Sequence, residues 1–144
     1  MWMDVIYEPG ELKAVGYKEG EPIGEEVIRT AGEPHSIKLY PDRVEIIASG
    51  SDLSFILVEA FDKEGKHCPL ADNLIHFKIE GPAEIAGVGN GDPRSHEPFV
   101  ADYRKLLNGK AMLIIRSIRN HPGKIEVKAW SDDLKSANVE IISK

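Results

Sequence analysis

Residues 53–62 read LSFILVEAFD, the most apolar run of the chain. Its apolar side chains fall on both faces of an extended backbone, the pattern of a central strand in a sandwich. Asp62-Lys63-Glu64-Gly65 follows as a tight hairpin turn with glycine near its end. Upstream, Ser36 to Tyr40 reads as a strand with Ile37 and Leu39 on one face, broken by Pro41-Asp42. Val44, Ile46 and Ala48 then alternate up to a turn at Ser49-Gly50-Ser51-Asp52. Downstream, Leu74 to Glu80 turns Ile75, Phe77 and Ile79 towards the core, and Ala83 to Val88 starts a further strand. Lys110 to Ile118 opposes Met112 and Ile114 to Ala111, Leu113 and Ile115. A turn at Asn120-His121-Pro122-Gly123 leads to Lys124–Trp130, which sends Ile125, Val127 and Ala129 inwards and leaves Trp130 at the rim. Leu134 to Ala137 reads as a break or bulge, and Asn138 to Ser143 closes the series. No convincing amphipathic helix is present, and Leu106-Leu107 fits a single turn. This spacing of strands and turn signals predicts an all-β fold, an antiparallel β-sandwich of about seven strands.

The first residues form a smaller group. Trp2 to Tyr7, Leu12 to Tyr17 and Ile23 to Thr30 read as three short strands, with turns at Glu8-Pro9-Gly10 and at Lys18-Glu19-Gly20-Glu21-Pro22. Such a short β-meander is marginal alone. It is expected either to pack on the following domain or to be loosely ordered. Thr30-Ala31-Gly32-Glu33-Pro34 has the composition of a linker. The expected boundaries are residues 1–32 for the meander and 33–144 for the sandwich.

The chain has 144 residues, enough to bury a core without metal or disulfide help. Its 18 Lys and Arg against 24 Asp and Glu give a net charge of −6. No basic run or Arg–aromatic stripe is present, which argues against nucleic acid as a partner. No apolar run is long enough to span a membrane. The opening MWMDVIYEPG lacks the basic region and apolar core of a signal peptide. The one cysteine, Cys68, excludes an internal disulfide and is expected as a half-buried thiol at a strand end.

One stretch departs from the strand–turn rhythm: residues 81–109, GPAEIAGVGNGDPRSHEPFVADYRKLLNG. Gly87, Gly89 and Gly91 surround Asn90, and Asp92 to Pro98 follow in a long loop. Glycines at this density allow positive φ and close backbone approach. Loops of this length inside a compact domain are commonly functional or interaction surfaces. Asn90, Asp92, Ser95 and Glu97 are oxygen ligands at close spacing, but the spacing does not match a calcium loop, and a structural loop is favoured. None of the five histidines has a metal-ligand spacing, Ser95-His96 is no triad, and G-V-G-N-G-D lacks the lysine of a phosphate-binding loop. No metal and no cofactor are expected. Two uses remain. Asn90, Asp92, Arg94, His96, Glu97 and Arg104 are candidates for contact with a neighbouring domain or a ligand. Alternatively, Asn90 and Asp92 cap the turn and Arg104 pairs internally with Asp102 or Glu97. The aromatic residues available to stack on a sugar, Trp2, Tyr7, Tyr17, Tyr40, Tyr103 and Trp130, are scattered in sequence.

GVGNGDPRSHEPF followed by RKLLNGKAMLIIRS resembles the C-terminal immunoglobulin-like region of bacterial glycoside hydrolase family two enzymes of the β-galactosidase type. WMDVIYEPGELKAVGYKEG and VIRTAGEP resemble the end of the preceding domain in the same enzymes. The resemblance covers nearly the whole chain. It implies an immunoglobulin-like sandwich, and the order of the strands looks like the bacterial invasin or intimin type. It also implies a periplasmic or extracellular parent enzyme whose two catalytic carboxylates sit in a (β/α)8 barrel. This chain lacks the βα alternation and the length of a barrel, so no catalytic residue is carried over. The expected role is a non-catalytic accessory domain, a spacer or docking module that contacts the catalytic barrel and neighbouring domains. The alternative is a carbohydrate-binding module recognising galactosides or glycans.

Overall fold

The computed structural model describes residues 6 and 8–144 and divides them between two compact units, Met1–Ala31 and Gly32–Lys144. Among the described residues every regular element is a β-strand.

The first unit is a hairpin of β1 (Glu11–Lys18) and β2 (Glu21–Arg29). Glu19 and Gly20 turn between them with φ of 54° and 86°, the left-handed pair that a two-residue hairpin requires. Arg29 pairs with Glu11 and Lys13 with Glu25 across the strands. Leu12, Tyr17, Ile23 and Ile28 are exposed. The expected strand over Trp2 to Tyr7 lies outside the described residues apart from Ile6, which is in no strand.

The second unit is the sandwich, with nine strands rather than about seven. One sheet runs β7 (Ala83–Gly89), β9 (Lys110–Ser117), β5 (Leu53–Phe61), β3 (Ser36–Pro41). The other runs β8 (Tyr103–Lys105), β6 (Leu74–Glu80), β10 (Gly123–Ser131), β11 (Leu134–Ser143). Within each sheet these neighbours are antiparallel. The sheets touch where Ser36 of β3 lies parallel to Lys135 of β11. Pro41 ends β3, since proline gives no N–H to a ladder. Asp42 then accepts from the Phe55 N–H at 2.8 Å, and the chain passes to β4 (Glu45–Ile46), parallel to the end of β11. The segment expected as a strand over Val44 to Ala48 is thus reduced to two residues.

The core is built by period-two alternation. Ile56, Val58 and Ala60 of β5 and Ala111, Leu113 and Ile115 of β9 face Ile75 and Phe77 of β6 and Ile125, Val127 and Ala129 of β10, all buried. One further expectation is met and one is corrected. Leu134 to Ala137 is a bulge at the start of the longest strand, as expected: Leu134 pairs with Ser131 and Ala137 with Ala129, so β11 carries one residue more than β10 there. Cys68 is fully buried rather than half-buried, its thiol donating to the Gly32 carbonyl at 3.5 Å. Burial pushes that thiol's pKa upward. Leu106 and Leu107 precede a tight turn in which Asn108 and Gly109 take φ of 51° and 72° and hand the chain from β8 to β9. A methyl group on Gly109 would stand 2.1 Å from the Cys68 carbonyl oxygen, so only glycine fits.

Candidate functional site

The glycine loop leaves β7 at Gly89 and returns at β8, so it joins the edge strand of one sheet to the edge strand of the other. Edge strands carry unpaired main-chain groups that must be satisfied or protected. The loop's polar residues do this. Asn90 accepts from the Asp92 N–H with its Oδ1 at 3.0 Å and donates from Nδ2 to the Lys105 carbonyl at 3.0 Å. Glu97 Oε1 accepts from the Lys105 N–H at 3.1 Å, and Glu97 Oε2 accepts from the Ser95 hydroxyl at 3.1 Å. The Val88 N–H donates to the Phe99 carbonyl at 2.7 Å.

Arg104 sits at the centre of this arrangement. It is a β8 residue with 1 % exposure, the largest fully buried side chain of the described residues. Its Nη2 donates to the carbonyls of Val88 and Pro98, each at 2.8 Å. Its Nη1 reaches Ser95 Oγ at 3.4 Å and the Glu97 carbonyl at 3.5 Å, with the Glu97 carboxylate 3.6 Å away. The guanidinium fork can serve several acceptors at once, which an ammonium cannot. The Phe99 ring lies 5.6 Å from the guanidinium carbon. Arg104 therefore closes the open side of the sandwich by bonding a carbonyl of the opposite sheet.

The expected site residues separate accordingly. Asn90, Asp92, Glu97 and Arg104 are engaged within the loop or with β7 and β8. Asp92 accepts from the Arg94 N–H at 2.9 Å and from its guanidinium at 3.0 and 3.2 Å. That side-chain bond, then the backbone one, lowers the Asp92 pKa, and Asp92 in turn raises that of Arg94. Arg94 remains largely exposed, and His96 is exposed with no hydrogen bond among the described residues. Asp102 is exposed, and its carbonyl accepts from the Phe77 N–H at 2.7 Å. Arg104 pairs with Glu97 and not with Asp102. The oxygens considered for calcium point into these internal bonds. Among the described residues no group of three His, Cys, Asp or Glu side chains is placed to hold a metal ion.

The aromatic candidates do not converge. Trp2 and Tyr7 lie outside the described residues, and Tyr17 is on the hairpin unit. Tyr40 is on the outer face of the β3 sheet. Tyr103, His76 and Trp130 form a row across β8, β6 and β10 on the outer face of the other sheet. There His76 stacks on Trp130 at 5.5 Å between centroids and 24° between planes, and Lys128 stands 5.9 Å above the Trp130 ring. Beside this row lies a shallow depression lined by Lys78, Glu80, Glu126, Lys128, Asn138 and Glu140. Lys124 bridges Glu126 at 2.7 Å and Glu140 at 2.8 Å, which pushes its pKa up to about 12. Lys78 lowers the pKa of Glu80.

Two features escaped the sequence reading. The first is Arg104 as a buried clamp, since a charged residue at a core-facing position runs against the alternation rule. The second is the exposure of Phe99 at 77 % and Val100 at 69 %, two apolar residues side by side at the end of a polar loop. Their adjacency after Pro98 was the available signal.

Residues 37–140 match the model of the glycoside hydrolase family 2 C-terminal domain 5, and residues 1–24 match a domain of unknown function, DUF4982. The chain is similar to the β-galactosidase BoGH2A of Bacteroides ovatus, with 42 % identity over 95 % of the chain and 16 % of the relative. It superimposes on a crystal structure of a glycosyl hydrolase family 2 member from Bacteroides cellulosilyticus with a TM-score of 0.86 and 43 % identity, covering 97 % of the chain and 18 % of that protein. A C-terminal fragment of intimin shares the fold alone, at a TM-score of 0.51 and 19 % identity over 75 % of the chain and 33 % of the fragment. The chain thus spans about one-sixth of the curated relative it matches.

Proposed function

Because the chain belongs to the glycoside hydrolase family 2 C-terminal domain 5 family, we propose that it is a non-catalytic accessory domain of a β-galactosidase-like glycoside hydrolase. It acts as a spacer and docking module that contacts the catalytic barrel and neighbouring domains of the parent polypeptide. The observation that carries this reading is the mismatch of lengths: nearly all of this chain aligns with about one-sixth of an enzyme. The local chemistry agrees. A retaining glycosidase needs two carboxyl groups about 5 Å apart, one held protonated by a raised pKa. Glu126 and Glu140 are close enough, sharing Lys124, yet they are exposed and bridged by that cation. Among the described residues, each carboxyl with a displaced pKa, at Asp52, Asp62, Glu80 and Asp92, is displaced downwards. A periplasmic or extracellular location belongs to the same proposal, and a signal segment at the start of the complete reading frame tests it.

Carbohydrate binding is the second reading, favoured by the Tyr103–His76–Trp130 row beside its charged depression. Sugars stack on free aromatic faces, and His76 and Lys128 already occupy Trp130. Docking is therefore preferred. The test compares the longer glycoside hydrolase polypeptide with and without this domain, and the chain alone. The expected result is no hydrolysis of nitrophenyl galactosides by the chain alone, no heat on titrating it with galactosides, and earlier thermal inactivation of the enzyme that lacks it. Hydrolysis by the chain alone overturns the reading, and saturable heat with a galactoside shifts it to the binding module.

A further inference from the structure

The outer face of the sheet β7-β9-β5-β3 is apolar where an exposed face of an antiparallel sheet is ordinarily polar. Two cross-strand rows make this band. Gly87 lies beside Ile114, which lies beside Phe55; Gly89 lies beside Met112, then Leu57, then Tyr40. Phe55 is 39 % exposed and Tyr40 44 %, with Leu57, Met112 and Ile114 partly exposed between them. Two glycines on β7 leave that end of the band flat. The main chain of the glycine loop borders it: a methyl group on Gly87 would stand 3.4 Å from the Phe99 carbonyl oxygen and 3.9 Å from Ile114 Cδ1. The main chain at Phe99, next to the exposed Val100 in sequence, thus adjoins the same surface. Ion pairs rim it on both sides, Glu84 with Arg116 at 2.6 Å and Glu59 with Lys110 at 2.8 Å. An apolar centre inside a polar rim is the anatomy of a protein interface.

We propose that this face is where the domain packs against another domain of its own glycoside hydrolase polypeptide, one that presents apolar side chains to it. The inference rests on the accessory-domain reading and gives it a surface. The occupant follows from length. The matching region makes up 16–18 % of the relatives, so most of each relative is chain tethered to this domain. A tethered partner is present at millimolar effective concentration, which a second copy of the chain does not reach in dilute solution. The sugar platform considered above lies on the opposite sheet and leaves this band uncovered.

Single-cysteine labelling with a maleimide tests the proposal, because the native Cys68 is only 2 % exposed and stays silent. Phe55→Cys reports on the band, Glu126→Cys on the opposite sheet, and His96→Cys on the loop; Met112→Cys replaces Phe55→Cys if the latter misfolds. The expected result is labelling of F55C slowed at least about tenfold in the longer polypeptide relative to the chain alone, with E126C unchanged, equivalent to about 1.4 kcal/mol of protection. Protection of E126C or H96C without F55C overturns this face and leaves the docking role standing. Equal rates at all three positions overturn both. Slowing of F55C in the chain alone, as its own concentration rises or on adding a galactoside, assigns the face to a second copy or a sugar and overturns the proposal.

Discussion

Replacing Arg104 by Met removes the clamp between the two sheets while keeping a long unbranched side chain in the space. Two donors at 2.8 Å are lost, leaving the Val88 and Pro98 carbonyls without their partner. Hydrogen bonds from a charged group contribute about 1.5–3 kcal/mol each. The longer contacts to Ser95 Oγ and the Glu97 carbonyl, at 3.4 and 3.5 Å, add little. Against this, burying the apolar methionine side chain returns about 1–2 kcal/mol. Replacing a buried ion pair by apolar groups is often harmless. Here the carboxylate is 3.6 Å away and partly solvated, whereas the acceptors lost are main-chain carbonyls that cannot be mutated away. The net expectation is a destabilisation of about 2–4 kcal/mol. In urea unfolding this lowers the midpoint with little change of slope. Hydrogen exchange at the Val88 amide, bonded to the Phe99 carbonyl, should then become fast before the sandwich unfolds. A variant within about 0.5 kcal/mol of the parent, the range of ordinary surface substitutions, and with Val88 still protected, would show that the loop is held by other means and refute the clamp.

Two further predictions concern the backbone and acid stability. Gly109→Ala combines a φ of +72° with a methyl group 2.1 Å from the Cys68 carbonyl oxygen, so it should cost at least about 3 kcal/mol in urea unfolding. Gly91→Ala, with φ +77° and nothing within 4 Å, should cost only about 1 kcal/mol; equal effects would mean that conformation alone decides. In acid, Asp62 is held below its ordinary pKa of 3.8 by the Gly32 and then the Lys66 N–H groups, at 2.9 and 2.7 Å. A carboxyl depressed in the folded state stabilises fully above its unfolded value, and that stability is lost as pH falls through the folded one. Asp62→Asn should therefore flatten the fall of the urea midpoint below pH 3.8 and leave the pH dependence above it unchanged. An unchanged acid slope would exclude Asp62 as a contributor.

Of the strands that form the core, β6 and β10 were readable because each has one face buried and alternates strictly, and β5 because it is an unbroken apolar run. Ile125, Val127 and Ala129 are all at 0 % exposure, as their spacing predicts. β8 was not readable. Tyr103-Arg104-Lys105 has no apolar alternation, and it is a strand only because it pairs with Leu74–His76. Lys135-Ser136 has weak strand preference and forms a bulge, and its place inside a continuous strand is imposed by the pairs Leu134–Ser131 and Ala137–Ala129 on either side. The turn before β9 was within reach, since Asn-Gly between extended runs is the strongest short hairpin signal. In the loop, the self-capping of Asn90 and Asp92 follows from their side-chain chemistry and was foreseen as an alternative. The clamp was not, because Val88 and Arg104 are sixteen residues apart and meet only once two sheets have placed β7 opposite β8.

The two features hidden in the sequence, the Arg104 clamp and the exposed Phe99-Val100 pair, have one physical cause. Where the sandwich stands open between β7 and β8, the groups facing inwards are main-chain carbonyls, and only a donor can satisfy them. The inward position therefore goes to Arg104, and the polar residues around it are consumed by the same closure. The apolar residues of the segment, Phe99 and Val100, are left on the outside. An inverted loop of this kind leaves apolar surface in water unless another surface covers it. It adjoins a sheet face that is inverted in the same sense, with Phe55, Ile114 and Met112 outward. The apolarity of both faces of residues 53–62 is thus the mark of a sandwich with one sheet covered twice, by its own core on the inside and by the proposed neighbouring domain on the outside.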